Sequence, residues 1–192
     1  MEPRLAEAQA GERAVFFVDA AHVVFGAFLG YLWCFARCWI KAPSGRQRFK
    51  VLGALNAVTQ EVITVTKLTY INSKTVGQLL VKLVDLGLPV PMTLVLDNAR
   101  YQRCALVQSV ADTLGIELLY LPAYSPNLNL LERLWKFVNK QCLYSKYYAD
   151  FTAFTQAIET GLADSQTTHK QVLSSLLTFN FQSFKKAQPL TV

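Results

Sequence analysis

The stretch that decides the fold runs from Met92 to Lys140. It opens as MTLVLDNARYQRC (92–104) and closes as IELLYLPAYSPNLNLLERLWKFVNK (116–140). The first half is an apolar run, Met92 to Leu96, that ends on Asp97. Such a short run bounded by turn residues reads as a buried strand. The second half is another strand, Ile116 to Leu121, then a Ser125-Pro126 turn and a helix carrying Glu132. Ser125 is the expected cap and Pro126 the expected first-turn residue of that helix. Thirty-four residues separate Asp97 from Glu132.

Working outward, AVFFVD (14–19) is a second apolar run that ends on an acid, Asp19. Between it and Met92 the pattern predicts more strands and one helix. Tyr31 to Lys41 reads as a strand with Arg37, Trp39 and Lys41 alternating onto one face. Lys41 to Lys50 reads as a loop around Pro43, Ser44 and Gly45, holding Lys41, Arg46, Arg48 and Lys50. Phe49 to Val58 is the next strand, extended by or paired with Glu61 to Leu68. Asn72 is the expected N-cap of a helix from Ser73, whose Val76, Leu79, Leu80, Leu83 and Val84 form an apolar stripe closed by Gly87 and Pro89. A further helix is expected from about Arg100, with Val107, Val110, Ala111 and Leu114 inward and Gly115 at its end.

The helix of Glu132 turns Leu128, Leu131, Trp135 and Val138 inward. Two more helical patterns follow, Phe151/Phe154/Ile158/Leu162 and Val172/Leu173/Leu176/Leu177. Strands that alternate with helices in the second half require crossover connections, so the fold class is α/β, a mixed sheet flanked by helices. Sites in such sheets lie at the carboxyl ends of parallel strands, where Asp97 falls.

Bulk properties bound the rest. A chain of 192 residues with 52% hydrophobic and 17% charged content folds as one domain with a real core. The first 13 residues read as a polar N-terminal segment without the apolar core of a signal peptide. The net charge of +6 and pI near 9.2 favour a polyanionic partner. Ala20 to Ala36 has no charged residue over 17 positions, the short limit of a membrane span. Two buried strands joined through Gly26 and Gly30 explain it better. The four cysteines, Cys34, Cys38, Cys104 and Cys142, form no CxxC pair. Only His22 and His169 could join them, so a structural zinc site is excluded in favour of reduced thiols in a cytoplasmic protein.

Each acid at a strand end has two readings. It caps the next turn, or it is a ligand whose charge a metal stabilises. Three converging carboxylates select Mg²⁺ or Mn²⁺. Two such ions clamp the attacking and leaving oxygens of a phosphodiester. Glu132 shares a helix face with Asn129, Lys136 and Lys140. That face is either ordinary Glu–Lys pairing or an acid at the metal with Asn129, Lys136 and Lys140 tracking a DNA strand. Asn98 and Arg100 either orient the ligand and contact phosphate or are turn residues. The loop cations Arg46, Arg48 and Lys50 are either a solvated tip or phosphate contacts. No P-loop, dinucleotide fingerprint or nucleophile elbow appears.

Taken together, FFVDAAH (16–22), GALNAV (53–58), LDNARYQ (96–102), YLPAYSPNLNLLERLW (120–135) and the 34-residue gap resemble the catalytic domain of DDE transposases. The branch they resemble is the bacterial insertion-sequence group of the Tc/mariner superfamily, over about Phe16 to Tyr144. The resemblance implies a ribonuclease H-like fold over 14–192. It implies Mg²⁺-dependent cleavage at transposon ends, with transfer of the freed 3′-OH to target DNA, commonly at a TA dinucleotide. Position by position, the catalytic and metal-binding acids become Asp19, Asp97 and Glu132, which the resemblance implies hold two Mg²⁺ or Mn²⁺ ions. The pattern DNAxxH ends here on Gln102, and the LNPIE pattern carries Leu130 in place of proline.

The family's full proteins carry N-terminal helix-turn-helix domains, and nothing of that kind precedes Ala14. The expectation is therefore a split or truncated gene, a separate helix-turn-helix chain as partner, and a homodimer on DNA. The competing expectations are a catalytically silent module that binds DNA or full transposase, and a ribonuclease H-like nuclease of other specificity.

Overall fold

In the computed structural model the described residues are 1–26, 33–37, 39–40, 45–123 and 125–181. The elements are α1 (Glu2–Gln9), β1 (Ala14–Val24), β2 (Arg48–Asn56), β3 (Val62–Lys67), α2 (Ser73–Val84), β4 (Met92–Leu96), α3 (Ala105–Thr113), β5 (Ile116–Tyr120), a 3-10 turn (Pro126–Leu128), α4 (Leu130–Cys142), α5 (Phe151–Gln166) and α6 (Lys170–Leu176).

Alternation along β1 sends its side chains into two cores. Val15 and Phe17 point to one face, where α4, α5 and α6 supply Leu131, Leu134, Val138, Phe154, Ile158 and Leu173. Phe16 and Val18 point to the other, where α2 and α3 supply Leu79, Leu80, Leu83, Val107 and Ala111. A sheet covered on both faces needs continuous apolar strands, and all five residues of β4 are buried.

The strand order is β3-β2-β1-β4-β5. β1 pairs antiparallel with β2 and parallel with β4; β2 pairs antiparallel with β3, and β4 parallel with β5. This mixed sheet flanked by helices has the ribonuclease H-like architecture. β4 and β5 are reached through α2 and α3, whose ends turn at Gly87 and Gly115, both at positive φ (61° and 67°), where glycine adopts the conformation without a Cβ clash. Asn72 caps α2, accepting from the Thr75 N–H at 3.1 Å, and Thr75 completes a capping box.

Several expectations need correction. β1 does not stop at Asp19 but continues to Val24, because β2 pairs with it as far as Arg48. Residues 33–37 and 39–40 form no strand, and Trp33, Phe35 and Trp39 are exposed there. The rest of the expected Tyr31–Lys41 strand, with Gly30, Cys38, Lys41, Pro43 and Ser44, lies outside the described residues. Arg48 and Lys50 sit on β2, not in a loop. α3 begins at Ala105, since Arg100 to Arg103 are spent in a turn. Val84, Val172 and Leu176 are exposed.

The polar N-terminal segment contains α1, whose Leu5 and Ala8 bury against the sheet. Arg4 and Arg13 each pair with Glu7 of α1 and with Glu117 near the amino end of β5, which ties the segment to the sheet. Among the described residues no helix is long and apolar enough to cross a membrane.

Candidate active site

Asp19 lies midway along β1, at the point where β4 has ended and the parallel half of the sheet stops. Asp97 follows β4 directly. Glu132 is in the first turn of α4, where an acid suits the positive end of the helix. All three line one cleft of about 350 Å³, with Asn98, Ala99, Leu121, Ser125, Pro126 and Asn129. Each acid is half-buried.

The local sequence explains how α4 is aimed. Ser125 does not cap it; Pro126–Leu128 forms a separate 3-10 turn, and Asn129 is the cap. Its Oδ1 accepts from the Leu131 N–H at 3.0 Å, and its Nδ2 donates to the Val18 carbonyl at 3.1 Å. One buried amide therefore fixes the start of the Glu132 helix to the residue beside Asp19. Asn129 was expected to touch nucleic acid. Both ends of its side-chain amide are hydrogen-bonded within the protein, while the residue lines the cleft. Leu130 stands at the first helical position, the place that favours proline, and is buried. With Asn129 supplying the cap, the helix starts without proline's preset φ.

The electrostatics of the cleft are those of unneutralised acid. Burial pushes the Asp19 carboxyl up to about 6, and the charges of Glu132 and Asp97 add to the rise. The Ala20 N–H and the Trp135 indole offset part of it. Burial also raises Asp97, against a backbone N–H from Ala99 at 3.4 Å. Tyr101 is raised by burial and by the charges of Asp97 and Asp19, so its phenol stays protonated. The donor set is all carboxylate oxygen, which fits a hard divalent cation. Among the described residues, no group of three His, Cys, Asp or Glu side chains is close-set enough to hold an ion as it stands.

Two residues at the site were not legible as such. Trp135 donates its indole N–H to Asp19 Oδ2 at 2.9 Å. The ring lies over Gly53, the cross-strand partner of Asp19. A Cβ at Gly53 would stand 2.9 Å from ring atoms Cη2 and Cζ2 of Trp135. A buried indole needs an N–H partner and a mid-strand glycine marks a close approach, but neither signal says which residue is the partner. Gln102 is buried beside the Asp97 turn, with neither side-chain amide atom hydrogen-bonded.

The other expected contacts divide. Asn98 is exposed on the cleft wall and accepts from Arg103 Nη1 at 2.9 Å. Arg100 is exposed in the turn but does not line the cleft. Lys136 lines an adjoining cleft of about 420 Å³ that shares Pro126, Asn129 and Glu132 with the first. Lys140 is exposed one turn beyond it, and Arg46 and Arg48 are exposed while Lys50 is half-buried. Arg133 is held by the carbonyls of Leu176, Thr178 and Asn180, at 2.7–3.0 Å, pinning the segment after α6 beside that second cleft.

Residues 14–155 match the family described as DDE superfamily endonuclease, which is more than half of the chain. The chain belongs to the DDE superfamily endonucleases. Solved structures show the same fold in this DDE-superfamily chain at low identity. It is similar to the Mos1 transposase paired-end complex with left transposon end, with a TM-score of 0.60 and 15% identity over 94% of this chain and 61% of that one. It is similar to the Mos1 transposase catalytic domain with Raltegravir and Mg, at 0.57 and 14%, covering 96% and 92%. It is also similar to the HTLV-2 integrase catalytic core domain in complex with magnesium, at 0.52 and 14%, covering 80% and 86%. The DDE-superfamily chain thus spans about three-fifths of the Mos1 transposase chain in the paired-end complex. No curated protein matches its sequence.

Proposed function

We propose that this chain is the catalytic domain of a metal-dependent DNA transposase of the Tc/mariner superfamily, in its bacterial insertion-sequence branch. It cleaves phosphodiester bonds at transposon ends and transfers the 3′-OH strand to target DNA. The observation that carries this reading is one cleft lined by Asp19, Asp97 and Glu132, with Asp19 pushed up to about 6. Membership of the DDE superfamily endonucleases supports it, and so does the fold shared with Mos1 transposase.

Asp19, Asp97 and Glu132 would hold two Mg²⁺ or Mn²⁺. When bound, such ions activate the attacking oxygen and stabilise the leaving one. The chain's own residues do the rest. The Trp135 N–H fixes one oxygen of Asp19. The Ala99 N–H does the same for Asp97. Tyr101, kept protonated, adds no charge beside them. Lys136 offers a cation for backbone phosphate along the groove that leads away from Glu132. A homodimer on DNA and a separate helix-turn-helix chain complete the proposed working assembly.

A second reading, a DNA-binding module without catalysis, is favoured by the spreading of the acids, no three of which are assembled as an ion site among the described residues. One experiment separates the two. The protein is incubated with supercoiled plasmid and a labelled duplex bearing free 3′-OH ends, in Mg²⁺ or Mn²⁺. Covalent transfer of label to plasmid, lost in Asp97→Ala/Glu132→Ala, is the expected result. Binding without joining or nicking in either metal supports the silent module. Nicking without joining supports a nuclease.

A further inference from the structure

Beyond Asp19, β1 and β2 run on together past the end of β4. On that projecting part, His22 of β1 is opposite Lys50 of β2, and Lys50 is opposite Lys67 of β3. Directly opposed residues share a face, so the three form one row across three strands. Arg48 lies two residues from Lys50 on the same face, opposite Val24. Tyr70, just past β3, lies under the Lys50 ammonium at 4.3 Å from the ring centroid.

This row is energetically odd. Like charges directly opposite one another across a ladder are destabilising. Among the described residues Arg48, Lys50 and Lys67 have no ion-pair partner; every salt bridge is made by Arg4 or Arg13 at the other end of the sheet. Edge protection explains a lysine on β3, the outer strand. It does not explain Lys50, which is on an inner strand. The field of the row is felt locally: burial lowers the His22 pKa, and Lys50 and Arg48 lower it further.

We propose that His22, Lys50, Lys67 and Arg48 form a binding row for DNA backbone phosphates, with Tyr70 holding the Lys50 side chain in place. Two interstrand steps make the row about 10 Å long, the axial rise of roughly three phosphates on one DNA strand. It lies at the same end of the sheet as the cleft but on the face of α2 and α3, so DNA engaging it passes the sheet's end on the side away from α4. The row rests on the reading of DNA as substrate and extends it to a surface that touches none of the three acids.

Binding is measured by fluorescence anisotropy with a 30-base-pair duplex of arbitrary sequence, in EDTA, across a salt series. Lys50→Gln/Lys67→Gln is expected to weaken binding about tenfold or more at low salt and to lower the slope of log K against log salt by about 2. A charge-matched control, Lys146→Gln/Lys170→Gln, on exposed residues of another face, is expected to leave the slope unchanged. Lys67→Gln alone is expected to lower the slope by about 1. The melting temperature of the double variant is expected to hold or rise, since a repulsion is removed. An unchanged slope, an equal loss in the control, or a fall in melting temperature overturns the row. Because no metal is present, loss of the row and loss of the transposase reading are separate outcomes. A protein that joins no DNA still keeps the row if these slopes change, and one that joins DNA loses only the row if they do not.

Discussion

Trp135 Nε1 donates to Asp19 Oδ2 across 2.9 Å, joining the helix that carries Glu132 to the strand that carries Asp19. The bond holds the charged form of a carboxyl that burial disfavours. Trp135→Phe keeps an aromatic ring but removes the donor together with the outer part of the indole that packs on Gly53. A hydrogen bond to a charged group contributes about 1.5–3 kcal/mol. Trp135→Phe is expected to raise the Asp19 pKa above about 6, visible by NMR titration, and to lower strand-joining activity while leaving the circular dichroism spectrum intact.

Gly53→Ala places a methyl group 2.9 Å from two ring atoms of Trp135. Overpacking of this kind costs about 1–3 kcal/mol. The expected result is a lower urea midpoint together with a shift in tryptophan emission. Gly53→Ala/Trp135→Leu is expected to recover the midpoint without recovering activity.

The pH dependence of stability has a definite sign. Asp19 binds its proton more tightly folded, at about 6, than its ordinary 3.8. The folded state therefore holds more protons between those values, and stability falls as pH rises through that window. Asp19→Asn is expected to stabilise the protein at pH 7 and to make little difference at pH 3, read from melting temperatures at the two pH values.

Divalent metal should reverse that penalty. A ligand that binds only the folded state at a hundred times its Kd stabilises by about 2.7 kcal/mol. Saturating Mn²⁺ at pH 7.5 is expected to raise the melting temperature of the unaltered protein. It is expected to do so much less in Asp97→Asn/Glu132→Gln, and equal shifts in the two would remove these acids as ligands.

Asn129→Ala deletes a helix cap and the tie to the Val18 carbonyl together. Loss of a cap alone costs about 0.5–2 kcal/mol. The larger expected effect is on activity, because Glu132 loses its fixed distance from β1. Asn129→Ser keeps a cap acceptor and has no amide to donate to the carbonyl, so it should restore much of the stability without the activity.

The parallel half of the fold was legible because its signals are local. Met92–Leu96 is apolar but for Thr93 and buried throughout, and Asn72 is followed by a clean helical stripe. The antiparallel half was less so. The alternation of Arg37, Trp39 and Lys41 imitates a strand, yet 33–37 and 39–40 join no sheet, and a strand exists only through its neighbour. β1 outlasts Asp19 for the converse reason: β2 is there to pair with it. At the cleft, Asp97 and Glu132 stand at element ends as their patterns suggested, whereas Asp19 falls midway along β1. The double duty of Asn129 and the indole bond of Trp135 could not be picked out, because each depends on where a helix crosses a strand more than 100 residues away in sequence.

Helix α4 is locked at both ends. Its beginning is tied to β1 through Asn129, and near its end Cys142 Sγ lies where a Cβ at Gly161 of α5 would come within 2.2 Å. A rod held in this way has no room to slide along its own axis. Drawing Glu132 toward Asp19 and Asp97 is therefore a matter of torsions about its side-chain bonds, a local rearrangement that leaves the backbone where folding put it.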